Sequence, residues 1–462
     1  MNTADEELDS NVAGGLPTRV WRSVFRRPPI PRTDYDRKWV VAHTMVLHMR
    51  PVRVPAKTIR YTHTFGLGGM SMVLVLLLMS TGLLMMFVYE PTPERAYGSI
   101  VAMQQQVLFG RLVRGMHYWS ANLLVIVALF HLLRVYLTGA FRGARQFNWI
   151  LGLGLLACIL VSAFTGYLLP WDQTSYWAIT ICTEMVAYVP LVGDALQRII
   201  RAGPEVGAAT MISFYTVHTT IMPAAFIVLM AWHFWRVRKA GGVIVPGNPG
   251  GRLERDDQRV LFLPHLLLRE TVVALILVAV ILQLAMFAAP SVGEAANPGM
   301  SPNPAKAPWY FLGFQELQLH FHPVFAVFLI PLLAAAALAY VAYARYDADL
   351  GGDWFLTARG KRMALVATAT ALLLTPAWVV FDEQVFAGGG ASSPLGHGVA
   401  SFAALLVGII GFWSLMKRWF HASRNETAQA LFVLLLVGFA LLTVVGVWFR
   451  GEGMALVWPW TT

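Results

Sequence analysis

Four histidines, His117, His131, His218 and His233, stand in two pairs whose internal intervals are 14 and 15 residues, and both pairs lie in apolar stretches. Ionisable side chains are rare inside membrane-length apolar segments, and they call for a function. At about 100° and 1.5 Å per residue, each pair returns to roughly one helix face, with about 21–23 Å between its members. If the two helices run the same way, His117 meets His218 at one level and His131 meets His233 at another. Ligands about 20 Å apart cannot share a zinc ion. Two neutral imidazoles on either side of a porphyrin iron, by contrast, leave no open position for oxygen and favour electron transfer. Interhelical hydrogen bonding is the plainer role for one isolated membrane histidine, but it does not explain four paired at matching depths.

Glycines repeat the same interval. Gly68 and Gly82 are 14 residues apart, as are Gly152 and Gly166. A flat macrocycle between helices needs a notch at its own depth, which glycine provides; close helix contact through small residues is the alternative. Arg114 lies just before His117 and Arg134 just after His131. Both are placed to pair with a haem propionate, or else to snorkel to the interface.

The elements that must carry these residues are membrane helices. Of 462 residues, 57% are hydrophobic and 13% charged, too few charges to cover a water-soluble surface. Nine stretches are long enough to span: about 65–88, 118–138, 149–169, 215–236, 271–289, 321–343, 363–381, 398–416 and 428–449. Trp149, Trp171, Trp232 and Trp419 flank them as interfacial aromatics. The net charge of +10 is concentrated before the first stretch and in alternate loops, which predicts a cytoplasmic N-terminus and an external C-terminus. That distribution argues for an orientation signal with lipid headgroup contact, not for nucleic acid. Two cysteines and no Cys-x-x-Cys-His sequence exclude a disulfide framework and an ordinary c-type haem attachment.

The expected fold is all-α and transmembrane, a four-helix di-haem bundle followed by a second helical block. Residues 1–35 are expected to be a flexible cytoplasmic tail, 36–240 the di-haem domain and 241–257 a linker. Residues 258–385 should form the C-terminal block with part of a quinol site, and 386–462 should add two further spans.

The stretches Arg114-Gly-Met-His-Tyr-Trp-Ser and His131-Leu-Leu-Arg-Val-Tyr-Leu-Thr-Gly139 resemble the second helix of cytochrome b in quinol–cytochrome c reductases. Gly166-Tyr-Leu-Leu-Pro-Trp-Asp-Gln173 and Phe214-Tyr-Thr-Val-His218 carry the same resemblance. The 15-residue interval and the Trp-Asp-Gln after Pro170 are similar to the plastoquinol-oxidising branch, where the two blocks are separate chains. Here they are fused.

This resemblance implies two non-covalent b haems, an exchangeable quinone, a Rieske iron–sulfur protein and a c-type cytochrome as partners, and a homodimer in the bacterial inner membrane of a respiratory chain. It implies a quinol site on the outer face formed by Tyr167, Trp171, Asp172, Trp309 and Tyr310. The family motif Pro-Glu-Trp-Tyr reads Ala307-Pro308-Trp309-Tyr310 here, so its carboxylate is missing, and Glu316 or Asp172 is expected to accept the quinol proton. Gly66 stands where the plastoquinol branch has the cysteine of an extra covalent haem, so none is expected. Arg238, with Lys239, His48, Arg60 and His63, is a candidate for a cytoplasmic quinone site. The rival readings are a cofactor-free transporter and a di-haem membrane anchor of a quinone-linked dehydrogenase or hydrogenase.

Overall fold

The structure, a computed structural model, describes residues 15–24, 33–34, 51–346, 351–384 and 394–460. Among them, nine helices are long and apolar enough to cross a membrane. They are Leu67–Met86, Gly110–Leu137, Gly143–Leu168, Ala208–Lys239, Phe262–Phe287, Val324–Val341, Ala358–Asp382, Gly398–Trp419 and Arg424–Trp448, called the first to ninth spans here. Several run beyond the apolar windows. The second and fourth begin seven or eight residues earlier than hydropathy predicts, because the backbone ladder continues into an amphipathic turn that hydropathy scores as loop.

The first span packs along the second and the third along the fourth, giving two helix pairs that face one another. The fifth span lies against the second, joining the two blocks. A short antiparallel pairing of Arg53–Pro55 with Arg259–Leu261 ties the segment entering the first span to the segment entering the fifth. The linker is fastened to the same place, where Lys57 donates to Asn248 at 2.8 Å and pairs with Asp257 at 3.2 Å.

Part of the expected tail is folded. Leu16–Val24 is a helix packed on the third span, where the Ser23 and Tyr343 hydroxyls lie 2.9 Å apart and Arg236 donates to the Ser23 and Val24 carbonyls. Residues 1–14, 25–32 and 35 of that tail, and His48, lie outside the described residues.

The ninth span is built into the protein and is not an appendage. It packs on the seventh span and on the helix Trp309–His320. At its other end Gln429 donates to the Leu137 carbonyl of the second span at 3.1 Å. Just beyond it, Arg450 reaches into a buried ionic cluster. Its Nε donates to both oxygens of Glu316 at 3.0 and 3.1 Å, and its Nη1 donates to Glu383. His320 lies 3.2 Å from Glu316 and 2.7 Å from Asp382. Glu316 and Arg450 side chains are fully buried.

Burial alone would raise the Glu316 carboxyl, but hydrogen bonds from His320 and Arg450 outweigh it and hold the group below its usual range. Burial would likewise lower His320, yet Glu316 and Asp382 raise it. Glu316 therefore contributes stability above its ordinary titration range, and that contribution is lost as pH falls and the carboxylate protonates. His320 contributes below its ordinary range, and its share is lost as pH rises through its elevated value. Thermal melts should show maximal stability between those limits. Arg450→Ala, which strands a buried carboxylate, should cost about 3–5 kcal/mol at neutral pH, measured by denaturant titration of the detergent-solubilised protein.

Candidate functional site

The second and fourth spans bring the four histidines together in the pairs that their spacing predicts. The ring centres of His117 and His218 are 6.3 Å apart with planes at 63°, and those of His131 and His233 are 6.5 Å apart at 75°. Two metal–imidazole bonds of about 2 Å each, plus the two ring radii, require about 6–6.5 Å between ring centres. The level nearer the Trp309–Tyr310 segment is called outer, after the orientation that the charge pattern predicts.

The unequal intervals have a local cause. Val217–Ile221 forms a π-helical turn around His218, and Pro223 follows it. Proline supplies no amide hydrogen and crowds the carbonyl four residues before it, so the ladder widens by one residue. The 15 residues between His218 and His233 thus do the work of 14 in a regular helix.

At the outer level the second ring nitrogen of each histidine is occupied. Thr81 Oγ1 lies 3.0 Å from His117 Nδ1 while its own hydroxyl donates to the Leu77 carbonyl at 2.6 Å. Thr165 Oγ1 donates to the Val161 carbonyl at 2.8 Å and lies 3.4 Å from His218 Nδ1, which also contacts the Ser162 carbonyl at 2.9 Å. Because both hydroxyl protons are committed elsewhere, these oxygens can only accept, so Nδ1 carries the proton. The lone pair is left on Nε2, the nitrogen that a metal would use. Sequence reasoning missed both threonines; the signal was a Thr-Gly dipeptide in two apolar spans, at 81–82 and 165–166.

The glycines serve the ligand rings and not, as the spacing suggested, a notch for the macrocycle alone. A Cβ on Gly68, Gly82 or Gly152 would sit 3.5, 3.4 or 3.5 Å from Cε1 of His131, His117 or His233. One on Gly166 would overlap the His218 ring, with Nδ1 at 2.9 Å. Removing Cβ also uncovers the carbonyl four residues earlier to a second donor. Ser162 stands at that position and takes a hydrogen bond from His218 Nδ1 at 2.9 Å; Leu78 and Asn148 stand at the same position relative to Gly82 and Gly152. The fourth carbonyl, of Thr64, precedes a left-handed break at Phe65 and Gly66 and lacks this arrangement. Two pairs of imidazoles at two levels, each spaced for a shared metal and with the tautomers fixed at the outer level, fit two haems.

A family profile described as Cytochrome b/b6/petB matches residues 54–241. Cytochrome b6 of Prochlorococcus marinus (strain MIT 9515) is 39% identical over 175 residues, covering 38% of this chain and 80% of that protein. Cytochrome b6 of Synechococcus sp. (strain CC9605) is 41% identical over the same shares. The chain belongs to the cytochrome b/b6 family. Haem binding follows from that membership. A chain of a hyperthermophilic respiratory Complex III shares the fold at a TM-score of 0.60 and 20% identity, covering 83% of this chain and 91% of its own. Its match extends past the b6-like region into the second block, consistent with a cytochrome b6-like domain continued by a fused C-terminal partner.

The cations divide. Arg114 lines the outer cavity and donates to the Pro290 carbonyl at 2.8 Å through one nitrogen, leaving the rest of the guanidinium beside the histidine pair. Arg134 makes a contact that its spacing did not suggest. It is buried against His63, donating to that carbonyl at 3.1 Å with a second nitrogen 2.9 Å from the ring, and so fixes the entry to the first span. Burial and the Arg134 charge push His63 down to about 4, so it stays neutral. At the inner level the buried Nε of Arg238 has no protein partner among the described residues.

Two cavities occupy the outer half. The larger, about 940 Å³, holds His117, His218, Gly82 and Gly166 in its wall and carries Tyr167, Asp172, Trp309 and Tyr310. The smaller, about 260 Å³, lies between Phe164, the Ala178–Met185 face of a surface helix, and Phe311–Gln318; both cavities touch Ala307. Trp309 is held by its indole nitrogen donating to Asn122 at 2.6 Å, a span residue that the sequence reading overlooked.

Trp171 and Glu316 line neither cavity. Trp171 is packed among Leu168, Tyr176 and Met211, in a left-handed turn at φ 52°. Glu316 is consumed by Arg450 and His320, which removes it as a proton acceptor. Asp172 lines the larger cavity but is partly structural. It caps the surface helix through the Ser175 amide at 2.8 Å and contacts the Gly293 amide at 3.4 Å.

Because the gap at Gly166 is the tightest, Gly166→Ala should abolish the b absorbance of the outer pair. Gly152→Ala, where a Cβ finds ordinary contact, should keep both bands. Reduced-minus-oxidised spectra of the purified variants check this.

Proposed function

We propose that the chain is the electron-transferring core of a bc-type quinol-oxidising complex, with haems held by His117 with His218 and by His131 with His233. The observation that carries this reading is the pair of imidazole clamps at two depths, with Nδ1 committed to protein oxygens at the outer one. Such haems supply reversible one-electron transfer from one face of the membrane to the other. The protein's own part is to orient, insulate and hold charge around them. Arg114 at the outer level and Arg238 at the inner one are the propionate partners that the geometry favours.

Quinol occupies the smaller outer cavity, where Phe164 and Phe311 face its ring and Gln315 and Gln318 offer polar edges. Gln315 also braces the loop at the missing carboxylate, accepting from the Ala307 amide and donating to the Ala305 carbonyl, each at 2.8 Å. Tyr310 and Ala307 stand between this cavity and the histidine pair. Asp172 lines only the larger cavity but is the one carboxylate among the residues lining either, and in this reading it receives the quinol proton through a water past Ala307, where the two cavities adjoin. The partners are a Rieske iron–sulfur protein and a c-type cytochrome, in a homodimer in a bacterial inner membrane with the N-terminus cytoplasmic. Proton release outside and uptake inside make the cycle energy-conserving. A dehydrogenase or hydrogenase anchor would not require the docking of the 290–308 loop onto Asp172 and Gln173, where Gln173 donates to the Glu294 carbonyl at 2.8 Å and accepts from the Asn297 amide at 2.7 Å.

Asp172→Asn keeps the helix cap, since Asn caps as well as Asp. It should slow quinol-dependent reduction of the b haems by about 100-fold or more, the usual range for a lost general base, while both absorbance bands persist. Stopped-flow reduction by a soluble quinol analogue tests this, and unchanged reduction would remove Asp172 from the mechanism. Failure of any quinol to reduce the wild-type haems would overturn the proposed function.

A further inference from the structure

The two histidine levels differ in what stands behind the rings. At the outer level each Nδ1 meets a threonine oxygen, Thr81 at 3.0 Å from His117 and Thr165 at 3.4 Å from His218, and His218 also meets the Ser162 carbonyl at 2.9 Å. At the inner level the residues that precede Gly68 and Gly152 are Leu67 and Leu151, both buried. His233 Nδ1 finds no partner of hydrogen-bonding geometry there. A cation stands near each level, Arg114 by His117 and Arg134 by His131, so local charge distinguishes the levels less than hydrogen bonding does.

A proton drawn from Nδ1 toward an oxygen increases electron donation from Nε2 to a bound metal. Stronger donation favours the oxidised over the reduced iron, and hydrogen bonding behind the ligands is one of the protein's controls on haem potential. We propose that Thr81 and Thr165 are positioning residues that hold the outer haem at a lower reduction potential than the inner haem, so that electrons move downhill from outer to inner. The inference rests on the two-haem reading and adds the residues that give the transfer its direction.

The test is a potentiometric titration of the b absorbance in the purified complex, which needs no turnover. Wild type should show two waves. Thr81→Val and Thr165→Val should each raise the lower wave, more so in combination, and leave the higher wave in place. Thr81→Ser and Thr165→Ser, which keep the hydroxyl, should return the lower wave to its wild-type position. Leu151→Thr places a hydroxyl behind His233 and should lower the higher wave. A lower wave unmoved in the double valine variant, with both bands at full intensity, would overturn the proposal, as would serine variants that behave like valine. Should the valine variants lose the outer haem, Leu151→Thr decides, and a higher wave that does not fall counts against the proposal. A single wave from wild-type protein that carries two haems per chain would also overturn the proposal, whereas one haem per chain would instead defeat the two-haem reading.

Discussion

An imidazole that binds a metal through one nitrogen in a lipid-buried helix bundle must satisfy the other without water. That constraint organises the first four spans. The helix backbone already uses its carbonyls, so a second donor reaches one only where the covering side chain is missing. Gly166 opens the Ser162 carbonyl to His218 in this way, and the rings of His117 and His233 press against the gaps at Gly82 and Gly152. The first span must therefore lie against the second and the third against the fourth, in a register fixed by the 14-residue glycine interval. The π turn at Val217–Ile221 is the adjustment that lets a 15-residue histidine interval meet that register.

Much of this was legible in the sequence because intramembrane polar residues are few. The histidine pairs and the nine spans among the described residues followed from period, hydropathy and spacing alone. The meaning of the glycines was read less well, since a 14-residue repeat does not say whether the macrocycle or its ligand ring fills the gap. Thr81 and Thr165 were invisible because a membrane threonine usually bonds to its own helix, as both of these also do. The contact of Arg134 with His63 was not legible because proximity to His131 in sequence could not reveal what packs on its other side. Trp171 and Glu316 fell within a recognisable segment, but burial direction along a helix or turn is decided by distant partners.

Those distant partners explain the second block. The ninth span brings Arg450 to Glu316, which His320 also engages, across more than a hundred residues of sequence. The cluster clamps the helix that follows Trp309 and Tyr310, and so fixes the wall shared by the two outer cavities. Trp309 is held from the other side by Asn122 on the histidine-bearing second span. The site walls are therefore fastened to both blocks, which accounts for a fused chain in which the last span is integral.

The central claim is that two imidazole pairs each bind one haem iron. Haem-to-polypeptide ratio combined with near-infrared magnetic circular dichroism measures it most directly. Two haems per chain, both with bis-imidazole signatures, and one remaining after His218→Leu are the predicted results. A ratio of one in the wild-type protein, or two intact bis-imidazole haems in the His218→Leu variant, would contradict the account.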